Sequence, residues 1–207
     1  MPEAVTIFGA VEGLIDEAVL RRLILWTGAK AGTVHGKHGK PFLRKQMPAY
    51  NLAAHRFPWF VLVDLDSEID CAPTLVNLWL PDPAPHMCLR VVVHEIEAWL
   101  LADRERLAQF LQVRISLIPR DPESLADPKH ALVEIARHSR KKEIRADMVP
   151  RPKSYRDVGP AFNSRMIQFV SDERRGWRPD VAAQSSESLR RCMLHLERLV
   201  NGETAAG

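Results

Sequence analysis

The chain has 207 residues, of which 46% are hydrophobic and 27% are charged, a composition typical of a soluble globular protein. Its net charge of +3 is too small to hold a polyanion, so any contact with nucleic acid must come from local basic clusters. Three scattered cysteines without a CxxC pair argue against a disulfide framework and a structural zinc site. No apolar run reaches membrane length, and the N-terminus lacks the pattern of a signal peptide. We therefore expect a cytoplasmic protein with no membrane partner.

The first predicted unit is a strand followed by a helix. Residues 5–8 are apolar and β-prone, residues 9–13 form a glycine-bearing turn, and apolar residues then recur at helical spacing. Such a unit opens an α/β sheet. Glu12 stands at the turn, and Asp16 lies about one turn into the helix. Both are expected near the carboxyl end of the strand, where ligands bind in open parallel sheets.

A second strand is predicted at residues 31–35, and a helix at 42–55. Between them lies the basic loop Gly-Lys-His-Gly-Lys, which carries Lys37 and Lys40. One interpretation is a solvated turn, as is usual for such loops. The other is a phosphate contact, because the loop would leave the sheet near the same edge as Glu12.

The clearest strand in the sequence covers residues 58–67, a continuous apolar run typical of a central parallel strand that is buried on both faces. It ends in Asp64 and Asp66. Residues two apart in an extended chain point to the same side, so both carboxylates can converge on one point. The pattern indicates either helix-capping acids or a site for a hard divalent cation such as Mg²⁺.

After a helix predicted at residues 71–80, another strand is expected at 87–93. It also ends in acids, Glu95 and Glu97, before a helix predicted at 98–112. A zincin motif is excluded, because H-E-x-x-H would need histidine where the chain has Ala98.

The pattern changes beyond residue 112, so we predict an α/β core at residues 1–112 and a mainly helical C-terminal extension at 113–207. A short edge strand is expected at 115–118, and helices at 128–138, at 162–170 and from 185 or 186 onward. The densest basic run, 137–145, includes Arg140, Lys141 and Lys142.

That run, together with the cations around Tyr155 (Arg151, Lys153 and Arg156), is the best local candidate for contacts with nucleic-acid phosphates. Alternatively, it is the solvated end of a helix.

Three predicted strands thus end in acids that would repel one another if they shared one edge of the sheet, by about 3–4 kcal/mol per close pair. Such a cluster persists if cations neutralise it, if some of the acids are protonated, or if the strand order keeps the sets apart. We favour neutralisation by cations.

Glu12-Gly13 with Asp16, followed by the strand that ends in Asp64 and Asp66, resembles the toprim domain of topoisomerases, bacterial primases and the overcoming-lysogenization-defect nucleases. The E-G-x-x-D spacing is closest to the nuclease branch. Residues 95–103 and 127–129 also resemble small bacterial toprim-like proteins, so the resemblance covers residues from about 4 to 130. It implies a toprim-like, Rossmann-like α/β fold with a mostly parallel sheet flanked by helices.

The resemblance also implies roles for the matching residues. Asp64 and Asp66 would bind Mg²⁺ or Mn²⁺. Glu12 would be a metal ligand or a general acid/base, and Asp16 would be a ligand at a second metal site. Two metals held in this way would activate a water and stabilise the leaving oxygen of a phosphodiester.

Glu95 or Glu97 would supply the further acid of the nuclease branch, and Lys129 would stabilise charge on the phosphate. Their alternative roles are structural: Glu97 as an acid in the first turn of a helix, and Lys129 as a solvated helix residue.

The function implied is a Mg²⁺-dependent nuclease or nuclease subunit that acts on nucleic acid, DNA rather than RNA. The chain has no Walker motif, so an ATPase partner would be a separate polypeptide, and a role in phage defence is a hypothesis from the resemblance. Two alternatives remain: a non-catalytic module that binds nucleic acid or protein, and a phosphotransferase or phosphohydrolase acting on a small substrate.

Overall fold

The structure, a computed structural model, describes residues 4–65 and 71–203. In this part of the chain, four strands form one parallel sheet in the order β2-β1-β3-β4. The strands are β1 (Thr6–Val11), β2 (Lys30–Gly36), β3 (Trp59–Asp64) and β4 (Met87–Val92). The helices are α1 (Leu14–Trp26), α2 (Lys40–Ala53), α3 (Ala72–Trp79), α4 (Ile96–Ala102), α5 (Arg104–Leu111), α6 (Pro128–Arg137), α7 (Lys142–Met148), α8 (Phe162–Ser171), α9 (Pro179–Ala182) and α10 (Glu187–Val200). The predicted α/β class, with a parallel sheet flanked by helices, is confirmed.

The chain divides into two compact units. The first comprises Met1–Val93 with Ser188–Gly207, and the second comprises His94–Glu187. The boundary predicted after residue 112 falls inside the second unit. Within the described ranges, no helix is long and apolar enough to cross a membrane.

The core of the first unit lies on the sheet because β3 is apolar along almost its whole length, and its first five residues are buried. Alternate residues of β3 point to opposite faces. On one face they join a cluster with side chains from α2 and α3. That cluster includes Leu43, Met47, Tyr50, Trp59, Val61, Val63, Leu75 and Trp79. Helix α1 contacts β1, β2 and β3 and buries the predicted apolar positions Val19, Leu20, Leu23 and Ile24.

The loop between β2 and α2 is held against the end of β1. Gly36 has a φ of +92°, and a Cβ at this position would lie 2.0 Å from the carbonyl oxygen of Val11, so only glycine fits. The backbone N–H of Lys37 donates to the same carbonyl at 3.0 Å, and the N–H of Gly39 donates to the carbonyl of Glu12 at 3.1 Å. The basic loop therefore lies at the carboxyl edge of the sheet, as predicted.

The second unit is helical in its described residues, with a core that includes Trp99, Leu107, Leu132, Phe162, Phe169 and Trp177. The prediction of one continuous helix at 98–112 is wrong, because the helix breaks at Asp103. This fully buried carboxylate caps α5 by accepting the N–H of Arg106 at 3.3 Å. It also accepts three hydrogen bonds from Arg178, at 2.7–3.0 Å. Asp103 therefore both caps α5 and binds Arg178.

The edge strand predicted at 115–118 is also wrong. Residues Ile115–Leu117 form a 3₁₀ turn, closed by local hydrogen bonds such as that from the N–H of Leu117 to the carbonyl of Arg114 at 3.1 Å. The guanidinium of Arg104 binds the carbonyl oxygens of Ile115 and Ile118 at 3.2 and 3.1 Å, so these acceptors are satisfied without a sheet. The other predicted helices agree with α2, α3, α6, α8 and α10 to within two residues.

Candidate functional site

Two of the predicted acids meet at the carboxyl edge of the sheet. Strands β1 and β3 are parallel neighbours, with Gly9 opposite Phe60 and Ala10 opposite Val61. Glu12 directly follows β1, and Asp64 is the last residue of β3. The backbone N–H of Asp64 donates to Oε1 of Glu12 at 2.9 Å. The carboxylate of Glu12 is therefore fixed across the ends of two adjacent strands.

Asp16 lies beside the same turn. It is in the first turn of α1 and is buried, with only 7% of its surface exposed. Its carboxylate folds back over Gly13, because a Cβ at Gly13 would lie 2.7 Å from Oδ2 of Asp16. The glycine of the E-G-x-x-D pattern thus makes room for the aspartate three residues later. This geometry agrees with the expectation that Asp16 faces back toward the end of the strand.

A cation lies at the same edge. Lys40 is the first residue of α2, and its ammonium group donates a hydrogen bond to the carbonyl oxygen of Asp64. Nζ of Lys40 also lies 5.9 Å from the ring centroid of Trp79, within cation–π range. Lys40 was predicted to contact nucleic acid. The structure adds that its charge lies next to Asp64, where it offsets part of the negative charge at this edge.

Lys37 has a different environment. Nζ of Lys37 lies 3.0 Å from Oε2 of Glu17 and donates to the carbonyl of Val34 at 3.1 Å. Arg21 binds the other carboxylate oxygen of Glu17 at 2.8 Å. Burial raises the pKa of the Glu17 carboxyl, but hydrogen bonds from Lys37 and Arg21 outweigh this effect and hold its pKa below the ordinary value. Lys37 therefore forms an ion pair with Glu17.

The second aspartate of the predicted metal pair, Asp66, lies outside the described residues. Among residues 4–65 and 71–203, no group of three or more His, Cys, Asp or Glu side chains is arranged to hold a metal ion. At this edge, the described candidate acids are Glu12 and Asp64, with Asp16 beside the turn.

In the second unit, the structure brings together Glu95, Glu97 and Lys129. Nζ of Lys129 lies 3.0 Å from Oε1 of Glu95 and 3.5 Å from Oε1 of Glu97. The side chain of Glu97 is only 2% exposed, whereas those of Glu95 and Lys129 are about one-third exposed. Two predicted metal ligands and the predicted catalytic lysine therefore form one ion-pair cluster.

The same cluster caps helix α6. Oε2 of Glu95 accepts the backbone N–H of Lys129 at 3.1 Å, and Oδ1 of Asp127 accepts the N–H of His130 at 2.7 Å. Two carboxylates thus satisfy N–H groups in the first turn of α6, where the helix dipole favours negative charge. Asp127 is the N-cap residue of α6. Glu95 has a structural role that its position in the sequence did not indicate.

The predicted basic residues Arg140, Lys141 and Lys142 are exposed where α6 passes into α7. Lys141 lines a cleft of about 780 Å³ in the second unit, together with Arg106 and Arg175. Arg140 borders a separate depression, and Lys142 lines neither of these two hollows. Three consecutive cations therefore have different surroundings, which the sequence alone did not indicate.

No protein-family model matches this chain, and neither the curated proteins nor the solved structures that were compared with it yield a match. What the structure establishes is the class, a Rossmann-like α/β protein with an all-parallel sheet in its described residues. The toprim resemblance stays a prediction.

Proposed function

We propose that this protein is a Mg²⁺-dependent nuclease, or the nuclease subunit of a larger assembly, which cleaves phosphodiester bonds at the sheet edge formed by Glu12 and Asp64. The observation that carries the proposal is the 2.9 Å hydrogen bond from the N–H of Asp64 to Oε1 of Glu12. It ties the carboxylate of Glu12, at the end of β1, to the backbone of Asp64, at the end of β3, on the edge where ligands bind in open α/β sheets.

The residue types at this edge are those that a magnesium ion would accept as ligands. Mg²⁺ prefers carboxylate oxygens, is usually held by one or two carboxylates, and keeps several of its waters. Glu12 and Asp64 supply two carboxylates of this kind, and Asp66 follows two residues after Asp64 in the sequence. A bound Mg²⁺ or Mn²⁺ would supply an activated water and would neutralise charge on the phosphate.

The protein's own groups have distinct proposed roles. The amide of Asp64 fixes the orientation of the Glu12 carboxylate, so that Glu12 is placed as a ligand or as a general base. The ammonium of Lys40, bound to the carbonyl of Asp64, places positive charge at the edge and attracts the substrate phosphate. Asp16, held over Gly13, is the proposed second-site ligand.

For the second unit, the nuclease resemblance makes Lys129 the group that stabilises phosphate charge, and Glu95 or Glu97 the further acid. The observed ion pairs hold the ammonium group of Lys129 beside these acids. They also give all three residues a structural role, which the experiments below separate from a catalytic one.

The broader context is also a proposal. We propose that the substrate is nucleic acid, DNA rather than RNA, that the protein acts in the cytoplasm, and that a separate ATPase assists it, in phage defence. The resemblance to toprim nucleases supports the ATPase and the defence role. The buried free thiols of Cys88 and Cys192 are in keeping with a reducing compartment.

A second candidate function is a non-catalytic module that binds nucleic acid or protein. It is favoured by the structural roles of the acids, because Glu12 holds the end of β3 and Glu95 caps α6. A fold can retain such contacts for stability after catalysis is lost.

Cleavage assays separate the two candidates. Plasmid, single-stranded DNA and single-stranded RNA are incubated with Mg²⁺, Mn²⁺ or EDTA, and wild type is compared with Asp64→Asn and with Asp82→Asn, an exposed acid of the same unit. The nuclease proposal predicts metal-dependent cutting that Asp64→Asn reduces by about 100-fold or more and the control retains. Full activity in folded Asp64→Asn would overturn this site. Binding without cutting by the wild type would favour the second candidate.

A further inference from the structure

Tyr155 is the most exposed large hydrophobic residue in the described part of the chain. Its relative exposure is 105%, compared with 73% for Leu52, the next most exposed large hydrophobic residue. At this exposure the ring buries almost no surface, so it contributes little to the core of the second unit. Single exposed apolar residues are common, but the surroundings of this ring are unusual.

The ring belongs to a loop whose two ends are hydrogen-bonded to each other. The loop connects α7 and α8, and at its base the N–H groups of Gly159 and Ala161 each donate at 2.9 Å to the carbonyls of Met148 and Asp147. A Cβ at Gly159 would lie 2.4 Å from the carbonyl oxygen of Asp147, so the two ends of the loop touch.

The tip of the loop is also ordered by local contacts. The N–H of Ser154 donates to the carbonyl of Arg151, and the N–H of Arg156 donates to Oγ of Ser154, both at 3.0 Å. Pro150 and Pro152 restrict the backbone before the ring, and Lys153 adopts a positive φ of 65°. The ring is therefore presented by a constrained loop, which lowers the entropy lost on binding.

Three cations flank the ring. Arg151, Lys153 and Arg156 are exposed, and their side chains make no hydrogen bond or ion pair with any residue in the described ranges. They line a hollow of about 390 Å³. The only acid between residues 150 and 160 is Asp157, so this loop carries a local positive charge. The loop therefore combines an accessible aromatic ring with three exposed cations within four residues of it in the sequence.

We propose that this loop, residues 150–157, binds single-stranded nucleic acid: Tyr155 stacks on an unpaired base while Arg151, Lys153 and Arg156 contact the neighbouring phosphates. Aromatic rings set among cations bind single strands in this way because every base offers a π face. A duplex keeps its base faces stacked inside, so the ring reaches a base only in a single strand. The inference rests on the proposed function for its substrate class and makes that substrate single-stranded.

The test is equilibrium binding in EDTA, which separates binding from cleavage. The probes are fluorescein-labelled oligothymidylate and oligouridylate, each about 20 nucleotides long, and a DNA duplex of equal length. We expect Tyr155→Ala to weaken binding of the single strands roughly 5- to 150-fold and Tyr155→Phe to stay close to wild type. The two single-stranded probes show whether DNA or RNA is preferred.

The phosphate contacts are tested by salt dependence. The triple variant Arg151→Gln, Lys153→Gln, Arg156→Gln should reduce the slope of log affinity against log salt by about 0.7 per lost contact. The matched control removes the same charge at exposed arginines of the same unit outside the loop, as Arg114→Gln, Arg120→Gln, Arg174→Gln. The control variant should retain most of the wild-type slope of log affinity against log salt.

Equal binding by wild type and Tyr155→Ala would overturn the inference, as would equal losses in the loop and control triples. Since Tyr155 is fully exposed, its variants are expected to fold, and thermal melts check this. If EDTA-resistant binding depends on Tyr155 but no cleavage is found, the loop inference stands and the nuclease proposal fails.

Discussion

The backbone N–H of Asp64 and the carboxylate of Glu12 are joined by a 2.9 Å hydrogen bond across the ends of two parallel strands. The bond links residues that are 52 positions apart in the sequence. It fixes the first candidate acid to the strand end that carries the second. The geometry of the proposed site therefore depends on the pairing of β1 with β3.

Glu12→Ala should destabilise the protein because the amide of Asp64 loses its charged acceptor. We expect the free energy of unfolding to fall by about 1–3 kcal/mol in urea denaturation. Glu12→Gln, which keeps an oxygen acceptor but loses the charge, should cost clearly less. Equal losses in the two variants would show that the hydrogen bond does not stabilise the strand ends.

Gly13→Ala should be costly because of Asp16. The new Cβ would lie 2.7 Å from Oδ2 of Asp16, so the carboxylate would have to move, at an expected cost of about 1 kcal/mol. A double-mutant cycle with Asp16→Ala checks the cause, since the cost of Gly13→Ala should disappear in that background. The φ of −136° at Gly13 is compatible with alanine. The same cost in both backgrounds would contradict the proposed contact.

Much of the fold could be predicted from local patterns. Buried parallel strands are continuous apolar runs, and β3 is such a run. The break between α4 and α5 does not follow from the apolar pattern of residues 98–112. Asp103 caps α5 there and also binds Arg178, 75 residues away, a contact that no local pattern shows. The edge strand predicted at 115–118 does not form, because Arg104 and local turns satisfy the backbone groups of these residues.

The site was predictable to a similar extent. Parallel strands expose their carboxyl ends at one edge, so Glu12 and Asp64 could be placed together from their positions after two strands. The contact of Lys40 with Asp64 could not be predicted, because it depends on the path of the loop that Gly36 allows. The ion pair between Lys37 and Glu17 likewise depends on how that loop folds onto α1.

Lys129→Met tests the ion-pair cluster of the second unit. Removing this cation should lower the free energy of unfolding by roughly 1–3 kcal/mol, a value reduced from that of fully buried pairs because Lys129 is 39% exposed. The cost should shrink when Glu97 is replaced by glutamine. In the cleavage assay, a purely structural Lys129 predicts unchanged activity per folded molecule. A large loss of activity in folded Lys129→Met would support the catalytic role.

Glu17 should make the free energy of unfolding depend on pH in the acid range. Because its pKa is lowered in the folded protein, its contribution is present above the unfolded value near 4.5 and is lost as the pH falls through the folded pKa. Urea midpoints measured at about pH 6 and pH 3 should therefore differ less in Glu17→Gln than in wild type. If the urea midpoint falls by the same amount between these two pH values in both proteins, the ion pairs of Glu17 do not stabilise the fold.

The most direct test of the central claim is calorimetric titration of Mn²⁺ and Mg²⁺ into wild type, Glu12→Gln, Asp64→Asn and the exposed control Asp82→Asn. We expect wild type and the control to bind a divalent cation, and each site variant to bind it at least about tenfold more weakly. Unchanged affinity in both folded site variants, or no binding by folded wild type, would contradict a cation site at Glu12 and Asp64.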